Sequence, residues 1–214
     1  MKIAVMGTGM VGTTIGTRLI GVGHSVMIGS RTSDNPKAAA WVASAGANAS
    51  QGTFEDAAKF GEVIFNCTSG LASLDALKQA GAANLSGKII IDLANALDFS
   101  NGFPPSLGVC NTDSLAEQIQ RAFPEAKVVK TLNTLTASLM VDPKSLGASS
   151  TIFVSGDDAE AKATVVGLLE SFGHDDVIDL GPLETARGTE MLLPIWLRLM
   201  GALGTAQFNF KVVR

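Results

Sequence analysis

The chain has no tyrosine and only two histidines and two cysteines among 214 residues. A carbonyl reductase needs a proton donor near the alkoxide it forms, and no phenol is available here. His24 falls in the turn before a predicted second strand, away from the carboxyl edge of a sheet where ligands bind. His174 precedes Asp175-Asp176 and is expected to be solvated. Cys67 and Cys110 are far apart, and no His/Cys/Asp/Glu run has metal-ligand spacing. Both thiols are expected to be reduced and the compartment cytoplasmic. No nucleophile elbow or phosphotransfer loop occurs.

Basic charge is also scarce. Sixteen Lys+Arg against 20 Asp+Glu give a net charge of −4, so there is no broad positive field for nucleic acid or anionic lipid. The longest apolar stretch, residues 191–204, carries Pro194 and Arg198 and is short for a membrane span. The first apolar run, Ile3–Met6, is broken by glycines, so no signal peptide is expected. No repeat or low-complexity segment is present.

What is there is an alternation of short apolar runs and helical patterns. The runs are Ile3–Met6, Ser25–Gly29, a weak one near Ala47–Ser50, Val63–Cys67, Lys88–Leu93 and Lys127–Leu132. Helical patterns cover Val11–Val22, Asn35–Ser44, Phe54–Phe60, Leu71–Ala80 and Asp113–Ala122. Runs without polar alternation predict strands buried on both faces, and the alternation predicts a doubly wound parallel α/β sheet of the Rossmann type. Asn35-Pro36 places proline just inside a helix start. From about Ser145 the pattern changes: a strand at Thr151–Ser155, a helix at Ala159–Phe172 capped by Asp157 or Asp158, a strand at Val177–Leu180, and one helix from Leu183 to Leu203. The expected organisation is a nucleotide-binding domain over 1–145 and a small C-terminal α/β extension over 146–214.

Gly7-Thr8-Gly9-Met10-Val11-Gly12 follows the first strand and opens the first helix, the context that gives a GxGxxG its meaning. Gly7 permits the turn, Gly9 lets a pyrophosphate reach the backbone, and Gly12 lets helix and strand pack closely. NAD-binding proteins place an acid at the end of the second strand for the ribose 2′-hydroxyl. Here that strand ends in Ser30-Arg31. A guanidinium fork suits a 2′-phosphate, with Ser33 and Lys37 available to complete an anion cradle, so NADP(H) is expected over NAD(H).

Three further strand ends, Cys67-Thr68-Ser69, Leu93-Ala94-Asn95 and Asn133-Thr134-Leu135, are small or neutral, suited to a carboxamide and to flat rings. Lys130 is either catalytic or a lysine whose head reaches solvent. The chemistry that fits is hydride transfer between two cofactor rings, which asks for alignment more than for acid-base groups.

MGTGMVG, IGSR, VKTLNT and the late ARGTEMLLPIWLRLMGALG together resemble the F420-dependent NADP oxidoreductase family over essentially the whole chain; the reductase domain of the six-transmembrane epithelial antigen of prostate proteins is similar in the same regions. The resemblance implies hydride exchange between NADPH and coenzyme F420 or a flavin-like acceptor. It also implies phosphate contacts at Thr8, Ser30, Arg31 and Lys37, and a second cofactor near Asn133-Thr134-Leu135. The chain departs from the deazaflavin-using archaeal pattern in carrying Asn133 where a histidine is expected. The apolar final helix suggests a homodimer contact. Two other readings stay open: an NADP(H)-binding redox sensor without turnover, and a reductase of a small carbonyl or imine, for which only Lys130 and Arg187 offer an anion-binding charge.

Overall fold

The computed structural model describes all residues, 1–214. In chain order the strands are β1 (Lys2–Met6), β2 (Ser25–Ser30), β3 (Ala49–Thr53), β4 (Val63–Asn66), β5 (Ile89–Asp92), β6 (Leu97–Asp98), β7 (Ser106–Leu107), β8 (Lys127–Lys130), β9 (Thr151–Gly156) and β10 (Asp176–Asp179). The helices are α1 (Met10–Gly21), α2 (Pro36–Ala45), α3 (Phe54–Phe60), α4 (Ser73–Ala80), α5 (Ala82–Leu85), α6 (Leu115–Ala122), α7 (Ala137–Val141), α8 (Ala159–Phe172), α9 (Ala186–Glu190) and α10 (Leu193–Leu203).

Eight strands form one sheet in the order β10-β9-β8-β5-β4-β1-β2-β3. All pairs are parallel except β8 with β9. From β3 to β8 this is the Rossmann order, with its switch point between β1 and β4. Alternation along β1 shows why the strands read as continuous apolar runs. Ile3 and Val5 face a core shared with Ile15 and Leu19 of α1 and Leu169 of α8. Ala4 and Met6 face a second core with Ala57 of α3, Leu77 of α4 and Ile119 of α6. Burying the sheet on both faces is the main stabilising term.

The sheet continues across residue 145, and the larger core takes residues from both sides of it. β9 runs antiparallel to β8, and the parts before and after residue 145 share a core.

Local signals account for the helix starts. Asn35 caps α2, Ser114 caps α6 and Asp158 caps α8; Thr53 and Asp56 form a reciprocal capping box on α3. One expectation fails. The segment 183–203 is a 3-10 turn at Leu183–Thr185 followed by two helices, α9 and α10. Pro194 lacks an N–H and its ring would clash with the carbonyl four residues back, that of Glu190, which is the last residue of α9. No helix is long and apolar enough to cross a membrane.

His174 corrects a second expectation. It is 3% exposed, and its Nε2 lies 3.0 Å from the Met140 carbonyl oxygen. Burial lowers its pKa below the ordinary 6.5, against the opposing pull of the Met140 bond and Asp175. The unfolded chain takes up a proton near pH 6.5, whereas the folded one waits for a lower pH. The contribution is absent above pH 7 and is a loss of stability as pH falls through that window, at up to about 1.4 kcal/mol per pH unit. His174→Gln is expected to flatten the decline in denaturation midpoint between pH 7 and 5; an unchanged slope would contradict this.

Candidate active site

The loop after β1 sits at the switch point. Gly7 has φ +114, and a Cβ there would lie 2.8 Å from the Cys67 carbonyl oxygen of the β4 exit. A Cβ on Gly12 would lie 2.0 Å from the Gly7 carbonyl oxygen. Both glycines are thus required by close approach. Gly9, by contrast, has nothing within 4 Å of a built Cβ, which leaves open space over the turn. Gly9 is the N-cap of α1 and supplies no side-chain cap, and the first turn has no acid. The leading N–H groups of α1 therefore remain free for an anion. Space over one glycine, obligate closeness at two others and an uncapped helix start fit a dinucleotide pyrophosphate.

Two chambers open from this turn. The larger, about 460 Å³, is bordered by Gly7, Thr8, Gly9, Ser30 and Arg31 on one side. Asn35, Phe54, Ala72 and the α4 residues Asp75, Ala76 and Gln79 complete it. The smaller, about 260 Å³, is bordered by Val11, Ala94, Asn95 and Leu135, with Gly70, Leu93, Leu97, Phe99 and Met140 adding an apolar wall. Cys67, Thr68 and Ser69 border both. Burial pushes the Cys67 thiol well above its ordinary pKa, so it is an inert part of the wall.

Several residues singled out in the sequence lie elsewhere. Met10 is exposed beyond the turn, and Gly12 serves packing. Ser33 and Lys37 are exposed and do not border the larger chamber. Asn133 and Thr134 are buried behind the smaller one. The Asn133 side chain donates to Asn95 Oδ1 at 3.0 Å and to the Thr189 carbonyl at 3.0 Å, and Asn95 donates back to the Asn133 carbonyl at 2.8 Å. This reciprocal clasp ties the exits of β5 and β8 together, so Asn133 shapes the chamber through Asn95. The Ser30 hydroxyl donates to the Thr32 carbonyl at 2.5 Å. Arg31 is exposed and forms no ion pair within the chain.

Lys130 also departs from expectation: its head does not reach solvent. It is fully buried, with Nζ 2.8 Å from Asp92 Oδ2 and 2.9 Å from Glu190 Oε1, and it also donates to the Ala94 carbonyl. Burial alone would lower its pKa, but the two carboxylates outweigh that and raise it. Asp92 further accepts from Asn66 Nδ2 at 2.7 Å, and the Asn66 Oδ1 accepts from the Thr68 hydroxyl at 2.7 Å. Glu190 accepts from the backbone N–H groups of Leu115 and Ala116 at the start of α6. Arg187 is occupied as well, in a two-bond pair with Glu117 at 2.9 and 2.5 Å. Neither cation is free for a small anionic substrate. Neither borders the smaller chamber, whose lining is uncharged.

This geometry is that of a protein of the Rossmann class, with a second, uncharged chamber beside the larger cleft at the glycine turn. Residues 2–96 match the family described as NADP oxidoreductase, coenzyme F420-dependent. The chain is 31% identical over 208 residues to the F420-dependent NADP reductase of Methanocaldococcus jannaschii, covering 93% of this chain and 92% of that protein. It is 33% identical over 206 residues to rat metalloreductase STEAP3, covering 91% of this chain but spanning only 38% of that longer protein. A crystal structure from Arthrobacter sp. FB24, provisionally named an F420-dependent NADP reductase, superposes with TM-score 0.95 at 56% identity over the full length of both chains. The chain belongs to the F420-dependent NADP oxidoreductase family.

Proposed function

We propose that this protein transfers hydride between NADP(H) and a planar deazaflavin or flavin-like acceptor, with coenzyme F420 the first candidate. The observation that carries the reading is the pair of adjoining chambers with three lining residues in common, one bordered by an unpaired guanidinium and the other uncharged. The free N–H groups of α1 and the open space at Gly9 hold the pyrophosphate. Arg31 meets the 2′-phosphate, where a carboxylate would repel it. Cys67, Thr68 and Ser69 border both chambers, so the nicotinamide end lies toward the smaller one. Bound there, the two cofactors supply the redox chemistry. The chain contributes alignment: Leu93, Leu135 and Met140 exclude water, while Asn95, held by Asn133, offers a fixed amide. No free acid or base borders the rings, which suits a transfer needing none from the protein.

The α10 face bearing Ile195 (47% exposed) and Leu203 (56% exposed) supports a homodimer contact, which equilibrium sedimentation tests directly.

The functional test is an anaerobic panel of F420, FMN, FAD and ferric chelates with NADPH. The expected result is NADPH oxidation with F420 or a flavin. Tight NADPH binding with no oxidation across the panel would favour a redox sensor instead.

A further inference from the structure

We propose that Asn35 is a specificity-determining residue, whose side-chain amide nitrogen donates to the 2′-phosphate of NADP(H) beside Arg31. The proposal rests on the reading of the larger chamber as the NADP(H) site. Asn35 borders that chamber and also caps α2, with φ −62 and ψ 119. Its Oδ1 accepts from the backbone N–H groups of Lys37 at 3.0 Å and Ala38 at 3.2 Å.

Those two bonds decide which way the amide points. A flipped side chain would set its NH₂ against two N–H donors, leaving all of them without acceptors. The oxygen must therefore face the helix, and the nitrogen faces away from it. Nδ2 makes no hydrogen bond within the chain and is not enclosed. The N–H groups of Lys37 and Ala38 are consumed by the cap, so the donor here is the side chain and not the helix terminus.

The neighbours leave a place for such a donor. The Ser30 hydroxyl proton is committed to the Thr32 carbonyl, and Ser33 and Lys37 do not border the chamber. Arg31, Asn35 and Gln79 are the side chains there with N–H groups free of any partner in the chain, and of these Arg31 and Asn35 share the loop between β2 and α2, whereas Gln79 stands on α4. A cap residue is also rigid, so little side-chain entropy is lost when a phosphate arrives.

Capping and phosphate recognition can be separated by substitution. Asp and Ser cap helices about as well as Asn, but Asp places a carboxylate against the phosphate and Ser removes the amide donors. Binding of NADPH and NADH is measured by titration calorimetry on the full chain, alongside thermal denaturation. Asn35→Asp is expected to weaken NADPH at least tenfold, and Asn35→Ser about three- to tenfold, with NADH within twofold and the melting temperature within about two degrees of wild type. An unchanged NADPH-to-NADH affinity ratio in both variants, or equal losses for both nucleotides, overturns the proposal. A wild-type protein with no preference for NADPH would instead defeat the underlying reading of the chamber.

Discussion

Arg31→Ala is expected to cost NADPH affinity roughly ten- to more than a hundredfold while leaving NADH nearly unchanged. The guanidinium is exposed, has no ion-pair partner within the chain and borders the larger chamber at the end of β2. Nothing inside the protein competes for it, so its whole interaction is available to the ligand. A charge-assisted hydrogen bond contributes about 1.5–3 kcal/mol, and the planar fork can form two to one phosphate. Arg31→Lys should recover part of the loss, because charge persists while the fork is gone. The same exposure means that raised salt should weaken NADPH more than NADH. Parallel losses for both nucleotides would show that Arg31 holds the loop and does not read the phosphate.

Lys130→Met is expected to be the most damaging single substitution to stability. It removes the one ammonium that faces both Asp92 and Glu190 in a fully buried site. Breaking a buried pair from one side costs about 3–5 kcal/mol, because the abandoned charge stays desolvated. For a chain of this length that is a fall in melting temperature of roughly 6–20 °C. The carboxylates are also tied to the α6 start and to Asn66, so they cannot swing out to water without losing those bonds. A variant melting within about two degrees of wild type at pH 7 would mean that the site is hydrated and the ion pairs nearly neutral in effect.

The fold was readable because its central strands are buried on both faces, which forces continuous apolar runs such as KIAVM and VIFN. The edge strand β3, ASQGT, carries no such run, and the reading placed it about two residues early. The two-residue strands β6 and β7 pair with each other outside the main sheet and leave no periodic trace. In the last segment, an apolar pattern on all sides concealed the break that Pro194 imposes.

The site divides in the same way. Arg31 was legible because its place follows from its spacing to the glycine turn. Asn35 was legible only as a cap; its second role needs the chamber. The wall formed by Ala72 and by Asp75, Ala76 and Gln79 of α4 becomes visible once the strand order sets β4 beside β1. The Lys130 triad draws residues 92, 130 and 190 from three elements, and no local pattern in the chain announces it. His174 looked solvated beside two aspartates, yet the Met140 carbonyl draws it inward.

Direct hydride transfer between two rings held in adjoining chambers is decided by isotope tracing. NADPH deuterated at each face of C4 in turn is mixed with the protein and F420 under anaerobic conditions, and the reduced deazaflavin is analysed by mass spectrometry. One of the two labelled forms is expected to deliver its deuterium to the acceptor carbon in stoichiometric yield. Reduced acceptor free of deuterium from both forms, or no reduction with a nucleotide that demonstrably binds, would contradict it.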